Sequence, residues 1–176
     1  MEKRLASVLV CWLLAGSLSA GALVQPQDWK QYSYPNDGFA LSSPSKPVIM
    51  EEKSETASGT IEIHNYLIDL GNNSAVKVSS VNLPPMDMPA KELLQAGKAG
   101  AVESMNATIS SEKEITLDGN PGLEFEAKAD TVRVRARVYM VKTRLLTLLA
   151  KAPSGAPFPA EVSRIFDSVK LIKPAP

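Results

Sequence analysis

Residues 123–141 (LEFEAKADTVRVRARVYMV) constrain this chain more than any other stretch. Along both halves the side chains alternate between apolar and charged, which is the period of a strand and not of a helix. If Asp130-Thr131 forms a two-residue loop, the halves pair antiparallel, with Glu126 opposite Arg135, Glu124 opposite Arg137 and Lys128 opposite Arg133. The other face then pairs Ala127 with Val134, Phe125 with Ala136 and Leu123 with Val138. A hairpin with one apolar and one charged face belongs in an antiparallel sheet with a core beneath it. A slip of one residue would exchange the two faces, so the pattern also specifies register.

Shorter segments of the same kind surround it. Residues 29–34 and 39–42 read as strands joined by Pro35-Asn36-Asp37-Gly38, where Gly accepts the positive φ of a tight turn. Residues 61–70 and 75–83 are further strands around Gly71-Asn72-Asn73-Ser74, with Val76, Val78 and Ser80 on one face of the second. Residues 108–117 and 145–150 complete the strands, the first followed by a turn over residues 118–122. Two segments change period. In residues 89–105 Ala90, Leu93, Leu94, Gly97, Ala101 and Met105 share one helical face, and Pro89 suits a first turn. Near the end, Val162, Ile165, Phe166 and Val169 recur at helical spacing. Many strands joined by short turns, with helices at two places, predict an α+β fold: a central antiparallel β-sheet flanked by helices.

The N-terminus points out of the cytoplasm. Lys3 and Arg4 precede the uncharged run LASVLVCWLLA, and Ala20-Gly21-Ala22 supplies small residues for cleavage. These are the parts of a secretory signal peptide, and the apolar run is too short for a spanning helix of about 20 residues. The expected division is a signal peptide over 1–22, a leader over 23–28, one domain over 29–173 and a tail over 174–176. Cleavage near Ala22 removes Cys11, the one cysteine, and leaves 17 Lys and Arg against 18 Asp and Glu. Disulfides, thiolate nucleophiles and Cys-held metals are then excluded, and no positive field argues for nucleic acid.

Candidates for chemistry are few. Arg133, Arg135 and Arg137 align about 7 Å apart by the strand repeat, either as a docking surface or as a solvated face whose opposite charges set register. His64 is the one histidine, on the face of Glu62 and Tyr66, and no Gly-x-Ser-x-Gly elbow accompanies it. It reads as a surface or half-buried strand residue without catalytic partners. Met86 and Met88 are soft enough for Cu(I), but the further ligands such a site needs are scarce. A carboxylate pair for hydrolysis would be defined by spacing in space, about 5 to 9.5 Å, and leaves no mark in sequence.

Tyr34-Pro35-Asn36-Asp37-Gly38-Phe39-Ala40-Leu41, followed by Pro44-Ser45-Lys46-Pro47, resembles the opening of PsbP-like domains. Asp118-Gly119-Asn120-Pro121-Gly122-Leu123-Glu124 resembles the turn and strand at their middle. Arg144-Leu145-Leu146-Thr147-Leu148, leading on to Phe166-Asp167-Ser168-Val169-Lys170-Leu171, resembles their end. These are turn and core positions, so the resemblance carries no site residue across. It implies an α/β/α sandwich around a central antiparallel sheet. It also implies exported, often non-catalytic members that bind or assemble other proteins, as the extrinsic lumenal proteins of photosystem II do.

The expected function is therefore a non-catalytic interaction or assembly module of the cell envelope. It would dock an unidentified protein partner through Arg133, Arg135 and Arg137, with no cofactor, no nucleic acid and no stable membrane span after cleavage. A small-ligand or metal-binding protein of the same compartment is the alternative, and a carboxylate-based hydrolase a weaker one.

Overall fold

The computed structural model describes residues 28–56, 59–85 and 87–173. The signal segment, the leader up to residue 27, Met86 and the tail 174–176 lie outside the described residues. In chain order the elements are β1 (Lys30–Tyr34), β2 (Phe39–Ser43), β3 (Val48–Thr56), β4 (Gly59–Gly71), β5 (Ser74–Asn82), α1 (Ala90–Ser104), β6 (Thr108–Leu117), β7 (Asn120–Lys128), β8 (Val132–Val141), β9 (Arg144–Pro153), α2 (Ala160–Ser168) and β10 (Lys170–Leu171). The β7–β8 hairpin has the expected register, with Glu126 opposite Arg135, Glu124 opposite Arg137 and Lys128 opposite Arg133.

That hairpin lies toward one side of a seven-stranded antiparallel sheet ordered β3-β4-β5-β9-β8-β7-β6. Strand alternation sends Leu123, Phe125, Ala127, Ala136, Val138 and Met140 to one face, where Leu94 of α1 closes a buried cluster on them. The opposite face carries Tyr66, Ile68, Val76, Val78, Leu146 and Leu148, covered by Val162, Ile165 and Phe166 of α2 together with Phe39 and Leu41 of β2. One helix therefore lies on each side, as expected. The α2 side is not covered by helix alone, however. The nine residues of α2 are too few to roof that face, and a three-stranded sheet, β1-β2-β10, completes the cover.

Local chemistry explains the turns. Asn72 and Asn73 (φ 50° and 57°) close β4–β5, and Asp118 and Gly119 (φ 49° and 79°) close β6–β7, the two-residue geometry in which Asn, Asp and Gly tolerate positive φ. The second turn is shorter than expected, since Asn120, Pro121 and Gly122 already belong to β7. Gly122 is required there, because a Cβ would stand 2.6 Å from the Val138 carbonyl oxygen. In α1, Gly97 faces the sheet, with room for a Cβ 3.5 Å from Leu145 Cδ2, whereas Gly100 faces open space.

Strand β3 has no counterpart among the expected elements. Its sequence VIMEEKSET does not alternate, and it forms one edge of the large sheet, so no buried face imposes a period on it. The other edge, β6, is polar and almost wholly exposed. No helix among the described residues is long and apolar enough to cross a membrane.

Candidate functional site

The arginine row lies on the α2 side of the sheet and is turned inward. The side chains of Arg133, Arg135 and Arg137 are 34%, 24% and 18% exposed, and Glu124 between them is 7% exposed. Arg137 Nε donates to Glu124 Oε2 at 2.5 Å and Nη1 to Asp167 of α2 at 2.8 Å. Arg135 reaches Glu124 at 3.3 Å and donates to Ser163 Oγ of α2 at 3.3 Å. Arg133 donates to Glu126 and to the Ala156 carbonyl, each at 3.4 Å, and lies 4.5 Å above the Phe158 ring. The open, solvated face is thus corrected: α2 and the segment before it fold over the row. Packing decided this, because Phe166 of α2 must reach the core and brings Asp167 and Ser163 down onto the arginines.

Burial raises the Glu124 carboxyl, but Lys113, Arg137 and Arg135 outweigh it and lower the group from 4.5 to about 2. The carboxylate therefore stays charged through the physiological range and holds two guanidinium groups beside α2.

A second polar cluster lies on the same side of the sheet, where the β1–β2 turn meets β4. Pro35–Asp37 form one turn of 3₁₀ helix, closed by Gly38 at φ 68°. The turn sends the Asp37 side chain inward, where the residue is only 5% exposed. Both Asp37 oxygens lie 3.0 Å from His64 Nδ1, which calls for the proton on Nδ1. The Tyr66 hydroxyl also donates to Asp37. Burial would raise the Asp37 carboxyl, yet the hydrogen bonds from Tyr66 and His64 leave it below its ordinary value. Burial first, then the bond to Asp37, pushes the Tyr66 phenol well above its ordinary range. Tyr34 and Phe39 pack on Tyr66 with ring centroids 4.1 and 5.1 Å away, which fixes its ring.

His64 was expected to lack partners, and this cluster corrects that. With Nδ1 committed to Asp37, Nε2 has no hydrogen bond among the described residues and is the free valence of the pair. The cluster borders an open cleft of about 270 Å³, whose wall includes Tyr34, Ile49 and Glu51, the last opposite His64 in the β3–β4 register. An oriented imidazole beside a carboxylate can take a hydrogen bond or a cationic group from a ligand. Among the described residues no serine hydroxyl bonds to His64. None of the described His, Cys, Asp or Glu side chains form a group of three able to hold a metal. Met88, one of the two thioethers considered for copper, is 42% exposed.

The cleft continues onto the open edge of β3. There Val48, Ile49 and Met50 are 60%, 49% and 40% exposed, three consecutive apolar side chains on a strand that, among the described residues, is paired on one side alone. Neither the edge nor the role of Asp37 was legible beforehand. Asp37 reads as a turn residue, and nothing ties it to a histidine 27 positions on. The one available hint was Tyr66 on the same strand face as His64.

No family model matches the chain, and no curated protein sequence does. Solved structures do. A structure from Bacteroides thetaiotaomicron VPI-5482 shares 9% identity and a TM-score of 0.42, covering 82% of this chain and 48% of that one. The solution structure of cyanobacterial PsbP (CyanoP) from Synechocystis sp. PCC 6803 shares 13% identity and a TM-score of 0.56, covering 89% of this chain and 99% of that one. Nearly the whole of that domain is thus reproduced here, and at this identity what is shared is the fold: the chain has a PsbP-like fold.

Proposed function

We propose that the protein is a non-catalytic interaction module of the cell envelope that takes up an extended segment of another protein along β3. The observation that carries this reading is the exposed Val48-Ile49-Met50 run on an open strand edge, continuous with the His64 cleft. An unpaired edge offers backbone donors and acceptors to an added strand, and pockets beside it select side chains. Glu51, Glu52 and Glu55 follow the apolar run, with Lys53 held by Glu62 at 2.9 Å. A partner segment that is apolar at one end and basic at the other therefore complements the edge, with one basic side chain entering the cleft toward Glu51. The signal-peptide pattern and the PsbP-like fold support an envelope role. In this reading Arg133, Arg135 and Arg137 serve docking indirectly, by fixing α2 on the sheet, and not as the contact surface.

A photo-crosslinking residue at Ile49, with a control at Glu112 on β6, tests the reading in source cells. The expected result is one dominant protein adduct from position 49, attached through a basic, extended segment, and none from 112. Equal adducts from both edges, or none from either, would overturn it.

A second reading, a small-ligand protein, rests on the cleft alone, whose histidine is oriented with Nε2 left free. It is favoured if His64 and Tyr34 resonances shift on adding small cationic compounds while neither position 49 nor position 112 yields an adduct.

A further inference from the structure

A separate pocket, where the β8–β9 turn meets β10, has the opposite electrostatics. Its volume is about 360 Å³, and its lining includes Lys142, Arg144 and Lys173 but no Asp or Glu. The arginines of the row each meet a carboxylate, at 3.4 Å or less. Arg144 does not. Its Nε donates to Asn82 Oδ1 at 3.1 Å and its Nη2 to the Asn36 carbonyl at 3.0 Å, so it is held in place by neutral acceptors. Nη1 has no hydrogen bond among the described residues. Gly38 makes the arrangement possible, since a Cβ there would collide with Nη1. The backbone around it is fixed as well, with Ile172 N–H on Gly38 O at 2.9 Å and Leu83 N–H on Thr143 O at 2.8 Å. Asp118 is engaged elsewhere, accepting the Leu171 amide at 3.4 Å, and does not line the pocket.

We propose that this pocket binds a phosphate monoester carried on a small apolar body. A planar guanidinium already oriented, with two flexible ammonium groups beside it, suits a dianionic oxyanion better than a single-charged one. The half-buried side chains of Val141, Leu171 and Ile172 supply an apolar wall for the remainder of the ligand. The β3 edge takes no part, and the His64 cleft meets this site at Asn36, which lines the cleft and holds Arg144 through its carbonyl. Lys142 and Lys173 belong to this pocket and not to the cleft, so changing them tests this site apart from the docking reading.

Amide NMR titrations at constant ionic strength test it, with benzyl phosphate, glycerol 3-phosphate, inorganic phosphate and benzoate as probes. Benzyl phosphate should shift Gly38, Thr143, Arg144 and Ile172 saturably. It should bind about tenfold more tightly than inorganic phosphate, the gain expected from burying roughly 55 Å² of apolar surface. Arg144→Gln should abolish the shifts. If that variant loses its folded spectrum, the double variant Lys142→Gln/Lys173→Gln, changed only at exposed positions, should weaken benzyl phosphate at least tenfold with the dispersion intact. The proposal is overturned by shifts that never saturate, by benzoate binding as well as benzyl phosphate, or by shifts centred on lysines outside the pocket. It is equally overturned if the double variant binds unchanged.

Discussion

Two polar clusters share the α2 side of one sheet, and they differ in whether their valences are closed. In the ladder, Glu124 receives Lys113, Arg135 and Arg137, and the arginines spend their other donors on Asp167, Ser163 and Ala156. Among the described residues Arg135 Nε makes no hydrogen bond, but it is buried beyond the reach of a visitor. In the smaller cluster, Asp37 binds both His64 and Tyr66, but the far side of the imidazole faces an open cleft. The region richest in charge is thus the one that holds the fold together, and the poorer one is where a ligand can be received. Charge density marks structure here, and an oriented group bordering an open cleft marks the proposed site.

The comparison breaks first at Glu124. Replacing it with Ala leaves Arg135 and Arg137 half-buried without their shared carboxylate, which should cost about 3 kcal/mol. A urea midpoint shift reports the loss, while adducts from position 49 should persist in whatever remains folded. A cost below about 1 kcal/mol would mean the ladder is not a clamp. Acid provides the same test without a deletion. The Glu124 carboxyl is lowered from 4.5 to about 2 in the folded protein. Its contribution is therefore complete above pH 4.5 and lost as pH falls toward 2. Glu124→Gln should flatten the stability profile within that window and leave its shape above pH 5 unchanged.

Asp37 is the counterpart in the open cluster. Asp37→Asn keeps the shape but gives His64 and Tyr66 a neutral, single acceptor, at a cost of about 2 kcal/mol. Its signature is the reverse of the Glu124 variant: a smaller loss of stability and a larger loss of crosslinking at position 49. If crosslinking is unaffected, the orientation of His64 plays no part in docking.

How much of this the sequence carries depends on the range of the interaction. The hairpin register was legible because alternation along residues 123–141 is local, and a one-residue slip would bury Glu124, Arg135 and Arg137 against α1. The inward face of α2 was legible for the same reason, from Val162, Ile165 and Phe166. What escaped was set by tertiary placement. No local pattern shows that Asp167 descends on Arg137, or that a turn aspartate reaches His64. Strand β3 escaped because an edge lacks a buried face, and Val48-Ile49-Met50 obeys no period. The positions on which the proposed function rests are thus the ones periodicity says least about.

The smallest effect on stability should come from that edge. Ile49 is 49% exposed, and Thr is equally β-branched, so Ile49→Thr should stay within about 0.5 kcal/mol of the parent protein. The same change removes apolar surface from the middle of the exposed run and from the wall of the cleft. Recovery of the partner on the native edge, read by a crosslinker moved to Val48, should fall at least several-fold while the urea midpoint holds. Glu124→Ala and Ile49→Thr then form a crossed pair, one moving stability alone and the other moving docking alone. If Ile49→Thr instead lowers stability by more than 1 kcal/mol with docking intact, the edge belongs to the closed part of the molecule, and the contrast between the two regions fails at its open end.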